Sequence, residues 1–263
     1  MSVNQVTSFK GYNPNHTNNN NQNKRGKYLR EGVILTSALG VGAALAVISK
    51  RQGFSLKLSD IKKTPIKDWA IFRLFDKKQP DRKLIELEEG EIISIAASSV
   101  IGGLVGGAIF DDKKHFKSKL RESVNQILGN VLVPVGFVGC VSRLYKANKE
   151  KVMSIMPQIK ETGKISRNIN KVLKALPASA ATIVSLGLGI IAGNKVSNFI
   201  NEKIFHKKVE RNIKGTDFAP HVDDLGMAVS LMADKSKGAS FIQRIVPLFL
   251  CVPGIEVGTH RDN

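Results

Sequence analysis

The chain has 263 residues, enough for one large domain or two modest ones. It contains 40 Lys and Arg against 22 Asp and Glu, a net charge of +18, yet four long stretches contain no charged residue at all. Its two cysteines both lie in apolar stretches, which gives no support to a disulfide framework or a cysteine-rich zinc module.

The four uncharged runs are 18 to 20 residues long and cover 32–49, 92–110, 123–142 and 175–194. As helices, at about 1.5 Å per residue, they would each cover roughly 27–30 Å, the thickness of the hydrocarbon core of a bilayer. A buried helix of a soluble bundle usually keeps a polar stripe, but besides apolar residues the second run has only serines and glycines, which form no such stripe. We therefore predict an all-α integral membrane protein, a helical bundle with about four transmembrane helices.

The N-terminal tail, 1–30, is rich in asparagine and becomes basic toward its end. It has too few apolar residues to form a core, so we expect it to be disordered. The first run contains Ala44-Leu45-Ala46, a pattern typical of signal cleavage sites, but a polar lead of about thirty residues is long for a signal peptide. We therefore keep this run as the first span.

Two long basic connectors follow the first and third runs. The first contains the only tryptophan, Trp69, close to Arg73, and the second ends in a basic amphipathic helix that leads into the fourth run. Helices of these two kinds commonly lie in the headgroup layer, although the Trp69 helix could instead pack on its own loop. We predict that six residues contact lipid headgroups, anionic ones in particular: Trp69, Arg73, Lys164, Arg167, Lys171 and Lys174.

The spacing of the runs suggests that a two-helix hairpin is duplicated. The link 111–122 is short, so the second and third helices should be antiparallel neighbours. At an offset of 91 positions, Arg30-Glu31 aligns with Arg121-Glu122, His115-x-Lys117 aligns with His206-x-Lys208, and 7 of 26 positions are identical from residue 92 onward. We divide the chain into the tail, the hairpins 31–119 and 120–215, and a C-terminal helical region 216–263. The apolar segment 245–255 in that last region is too short to cross a bilayer and should pack on the bundle or dip into one leaflet.

Small residues recur at helical spacing in the second and fourth runs. They let helix backbones approach closely where lipid supplies no hydrophobic drive, so we predict that they pack the protein's own helices. The alternative is a homo-oligomer formed through an exposed track of these residues. The predicted helix-packing residues are Ser94, Ser98, Gly102 and Gly106, the neighbouring track Gly103 and Gly107, and Gly189 with Gly193.

No motif in the sequence indicates catalysis. There is no Walker loop, nucleophile elbow or Rossmann fingerprint, and the connectors contain no module that reads nucleic acid. His221 and Asp224, three residues apart on a predicted helix, are the one pair that could ligate a metal, with Glu256 and His260 far along the chain. Their spacing matches no metalloenzyme pattern. We therefore expect no catalytic residue, no cofactor, no metal and no nucleic-acid partner.

Ionisable residues at depth usually mark pumps and proton-coupled transporters, and none of the four runs contains one. The sequence thus favours a non-enzymatic structural, scaffold or self-associating protein of the plasma or inner membrane, with basic connectors that bind lipid. A small channel or facilitator built from the duplicated hairpins is the first alternative. A membrane-tethered, metal-dependent enzyme that uses the His221 region is the second.

Overall fold

The computed structural model describes residues 28–53, 57–62, 89–160, 162–208, 211–222, 224–226 and 245–262, which form helices and no strand. Seven α-helices are numbered here in chain order: α1 Leu29–Arg51, α2 Leu58–Lys62, α3 Glu89–Phe110, α4 Phe116–Val124, α5 Val133–Ile155, α6 Lys164–Lys203 and α7 Val252–Thr259. Most of the tail 1–30 lies outside the described residues, as do Trp69 and Arg73, so the predictions made for them stay predictions.

Within the described ranges, four helical segments are long and apolar enough to cross a membrane, which confirms the all-helical fold and this part of the prediction. Each contains one of the uncharged runs. The third, Lys113–Ile155, is continuous over 43 residues because the π-helix Asn125–Leu132 joins α4 to α5. The fourth is α6, with 40 residues. The duplication of a hairpin stays a prediction.

Helices α1 and α3 pack antiparallel through small side chains. A Cβ at Gly102 would overlap the carbonyl of Thr36, and one at Gly106 would lie 3.0 Å from the Cα of Val33. Gly40 of α1 lies in the same way against the backbone of Ser98. This part of the predicted helix-packing set therefore lies at the contact between α1 and α3, whereas Ser94 of the same set is exposed.

Helices α5 and α6 form a second antiparallel pair. Gly189 lies against Pro134, and the backbone of Gly193 approaches that of Gly129 too closely for a side chain. The pair continues beyond the apolar runs as an extension formed by residues 143–174. Its tip is closed by Asn170, whose side-chain amide donates to the carbonyl of Ile159 at 2.7 Å and accepts from the amide of that residue at 2.8 Å.

The C-terminal segment packs along α3, on the face next to the one that α1 covers, and Gly258 also contacts Val33 of α1. Ser99 Oγ donates to the carbonyl of Cys251 at 3.2 Å and accepts from the amide of Gly254 at 3.2 Å. Gly103 lies against Gly254, and Gly107 lies close to the carbonyl of Gly258. The short apolar segment thus packs on the bundle, and it covers the second glycine track with the chain's own backbone.

An apolar core fills one end of the space between the two helix pairs and the C-terminal segment. Residues of α1, α3, the π-helix, α5 and the stretch just before α7 contribute to it, so both helix pairs and the C-terminal segment meet at this end. Its buried members are Val41, Leu45, Ile48, Ile92, Ile95, Ala96, Val131, Val135, Val246 and Leu250.

Candidate functional site

Polar side chains fill the other end of the same space. The first of them form a stripe along α4 and the π-helix. Glu122, Gln126 and Asn130 are spaced four residues apart and are all buried. Asn125, also buried, faces the other way and donates to Asn201 of α6 at 2.9 Å. Stretches of π-helix are rare and often occur at functional sites, so this cluster is the candidate site.

The centre of the cluster is an ion pair between Arg211 and Asp217, which follow α6 in the chain. The Arg211 guanidinium donates to Asp217 Oδ1 at 2.8 Å and to Asn130 Oδ1 at 2.7 Å, and it lies 3.9 Å from Glu122. Asn130 Nδ2 donates to Asp217 at 2.8 Å. Asn198 of α6 fixes the backbone of Arg211 by accepting from its amide at 2.7 Å. A buried charge pair is tolerated because each of these groups has hydrogen-bond partners.

Gln126 connects this ion pair to the C-terminal helix. Its Nε2 donates to Glu122 at 2.8 Å and to Glu256 of α7 at 2.6 Å, while its Oε1 accepts from Asn130 at 2.9 Å. The amide therefore bridges two carboxylates and the central asparagine. One hydrogen-bonded network therefore holds three separate parts of the chain: the π-helix, helix α7, and the segment that follows α6.

His221 completes the cluster through a carbonyl group that a proline leaves available. Pro134 has no amide hydrogen to donate to the carbonyl of Asn130, four residues earlier. That carbonyl lies 2.7 Å from Nε2 of His221, which is fully buried. The other ring nitrogen, Nδ1, has no hydrogen-bond partner among the described residues and lies 3.8 Å from the carboxylate of Asp224.

The predicted pairing of His221 with Asp224 on one face is therefore present, but the described part of the chain brings no third ligand to it. Among the described residues, one group of three potential metal ligands lies close together, and it is remote from His221: Asp111, Asp112 and His115. The carboxylate of Asp111 already accepts hydrogen bonds from two cationic side chains, so it is poorly suited to hold a metal ion.

Those two cations belong to a second ionic cluster at the end of α3. Asp111 lies 2.8 Å from Lys119 Nζ and 2.7 Å from Arg261, and Lys119 also donates to the carbonyls of Gly258 and His260 at 2.7 and 2.8 Å. Burial alone would raise the pKa of Asp111, but the hydrogen bonds from Arg261 and Lys119 outweigh it and lower the pKa to about 2. This cluster fastens the last residues of the chain to the junction of α3 and α4.

The four described basic residues that were predicted to contact lipid lie apart from both clusters. Lys164, Arg167, Lys171 and Lys174 are exposed on the extension of α5 and α6. The buried clusters were missed because each charged member lies outside the uncharged runs in sequence. The spacing of Glu122, Gln126 and Asn130 was the signal in the sequence that could have indicated a buried polar face on α4 and the π-helix.

No known family model matches this chain, and neither a characterised protein nor a solved structure matches it.

Proposed function

We propose that this chain is an integral membrane protein with four spans and no catalytic role, a scaffold whose basic connectors bind anionic lipid. The observation that carries the proposal is the filled space between the two helix pairs. Its apolar end is packed with aliphatic side chains, and its polar end is a hydrogen-bonded network of the chain's own residues. This packing favours a solid helical bundle and argues against a substrate site between the helix pairs.

The extension 143–174 supplies the lipid-binding surface in this proposal. It contains nine Lys and Arg against two Glu, and the residues after span three in α5 rise about 20 Å past the hydrocarbon core. A headgroup layer is about 5–8 Å deep, so the base of the extension, with Lys171 and Lys174, lies among headgroups. Lys164 and Arg167 lie further out, within about one Debye length of the anionic surface. Basic residues near an anionic surface contribute about 1 kcal/mol each.

Apolar side chains on the extension support contact with lipid as well as charge. Ile169, Val172 and Leu176 of α6 are 42%, 37% and 43% exposed and lie at helical spacing with the lysines between them. We place both chain termini on the cytoplasmic side, and we retain the duplicated hairpin as the origin of the two helix pairs. Self-association would use faces other than the Gly103 and Gly107 track, because α7 covers it.

The experiment uses the full chain in vesicles, with Cys140→Ser and Cys251→Ser and a fluorophore attached through Ala147→Cys, an exposed position near the base of the extension. Spin-labelled anionic lipid should quench the fluorophore more than spin-labelled phosphatidylcholine, and salt should reduce the difference. Replacing Lys164, Arg167, Lys171 and Lys174 by Gln should remove the preference. Equal quenching by both lipids in the unsubstituted chain would contradict lipid binding by the extension.

A second candidate, a small facilitator for cations or protons, is favoured by one observation. Asn130 lies about 12 Å along the helix from Glu122, and Arg211, Asp217 and His221 meet it there, at the depth of span three. Ionisable groups at such depth commonly mark ion pathways. Flux of cations or protons into the same vesicles, abolished by Asp217→Asn, would establish this function in place of the scaffold.

A further inference from the structure

A basic pocket opens at the end of the bundle where α3 turns into α4 and α6 ends. Its volume is about 430 Å³, and its lining includes Lys114, Lys117, Arg121, Phe205 and Lys207. The sequence alignment matched two basic segments that are far apart in the chain, His115-x-Lys117 and His206-x-Lys208. The fold brings these two segments to the same pocket. Neither segment belongs to the extension or to the buried clusters.

The charges of the pocket fit an anion. Four Lys and Arg line it against one carboxylate, that of Asp262, which gives a net charge of +3 with the histidine neutral. Arg121 is 6% exposed at its side chain and donates to both oxygens of Asp262, while Lys207 lies 3.6 Å from the same carboxylate. Lys114 lies 3.8 Å from the carboxylate of Asp112, but its side chain and that of Lys207 are 68% and 54% exposed, so both can turn toward a ligand.

The surroundings of the pocket fit an amphiphile. Exposed apolar side chains stand beside its lining residues in the chain: Phe116 and Leu120 on α4, and Ile204 just after α6, are 40%, 43% and 63% exposed. The pocket also lies just after the apolar run of α3, which ends at residue 110, and this places it on the headgroup side of that span in the four-span arrangement. Basic pockets between spans at this level are typical sites for anionic headgroups.

We propose that this pocket binds the phosphate-bearing headgroup of one anionic phospholipid, with its acyl chains lying along Phe116, Leu120 and Ile204. The site rests on the proposed membrane location but is independent of lipid binding by the extension, which lies at the opposite end of the bundle. In it, Lys114, Lys117 and Lys207 contact the phosphate, and Asp262 holds Arg121 in place beneath it.

The test measures lipid binding to the purified full chain in neutral detergent by native mass spectrometry. Phosphatidic acid, phosphatidylcholine and inorganic phosphate are added separately. The pocket variant combines Lys114→Gln, Lys117→Gln and Lys207→Gln. Its matched control combines Lys195→Gln, Lys203→Gln and Lys214→Gln, three exposed lysines that do not line the pocket, and it removes the same charge.

We expect one tightly held phosphatidic acid in the unsubstituted chain and in the control. The pocket variant should bind it at least about tenfold more weakly. Equal weakening in both variants would reduce the effect to net charge and overturn the site. Displacement of the lipid by millimolar inorganic phosphate would indicate that the pocket binds free phosphate, and it would overturn the proposal of a phospholipid site.

A second measurement keeps the proposal testable if the pocket variant does not fold. A photoreactive phosphatidic acid added to the unsubstituted chain should crosslink to peptides that contain Lys117 or Lys207. Crosslinks confined to peptides from the extension would refute the pocket.

Discussion

The contact between α3 and the C-terminal helix should be unusually sensitive to a single methyl group at Gly103. A Cβ at this position would lie 2.7 Å from the Cα of Gly254, against 3.4 Å or more for ordinary contacts. The two backbones must therefore separate by at least 0.7 Å, while hydrogen bonds at Ser99 oppose the movement. We expect Gly103→Ala to loosen or release the C-terminal helix.

The magnitude follows from two opposing effects. Overpacking of a tight contact costs about 1–3 kcal/mol, and Ala is favoured over Gly inside a helix by up to about 1 kcal/mol. The net cost of about 1–2 kcal/mol corresponds to a roughly 5- to 30-fold larger population with the helix released. Gly187 in α6 provides the control, since a Cβ there meets nothing within 4 Å.

The assay uses Cys251, which lies at the start of the C-terminal helix and is only partly exposed. In a Cys140→Ser background, the rate of modification by a maleimide reports the population in which the helix is released. Gly103→Ala should raise this rate by the factor given above, and Gly187→Ala should leave it unchanged. A rate for Gly103→Ala equal to that of the parent chain would refute the close approach of the two backbones.

The polar clusters and the four-span arrangement give three more expected outcomes. Arg211→Ala should lower the free energy of unfolding by about 3–5 kcal/mol, since it leaves Asp217 buried without its cation; an unchanged denaturation midpoint would contradict this. The pKa of Asp111 falls from 3.8 to about 2 in the folded chain, so its contribution of about 2 kcal/mol is complete well above pH 4 and is lost as the pH falls through 2. Asp111→Asn should abolish that part of the acid sensitivity in denaturation curves, and an identical pH profile would refute the ion pair. In sealed vesicles, thiols introduced by Ser154→Cys and Lys117→Cys should react from opposite faces, whereas labelling from one face would exclude four spans.

Helix content and the positions of the long apolar helices could be predicted from sequence because both depend on local composition. An uncharged run of about 20 residues is helical and long enough to span wherever it lies in the chain. The short link 111–122 likewise forces neighbouring helices. The predicted small-residue ladder could be read from helical spacing, although its partners could not.

The partners depended on tertiary structure, because a glycine carries no information about which backbone approaches it. Gly102 meets α1 and Gly103 meets the C-terminal segment, although the two are adjacent in sequence. Sequence spacing also could not place Arg211, Asp217 and His221, which follow the last run and look like part of a polar tail. They enter the bundle because the side chain of Asn130 bonds to Arg211 and Asp217, and because Pro134 leaves the carbonyl of Asn130 available to His221.

The uncharged runs thus determined where this chain can cross a bilayer, since apolar surface is favourable in lipid irrespective of the rest of the fold. Only the tertiary structure decided that the interior of the bundle is part polar. A buried charge is stable only beside its counter-charge and hydrogen-bond partners, and Asn130 lies 81 residues from Arg211 and Gln126 lies 130 residues from Glu256 along the chain.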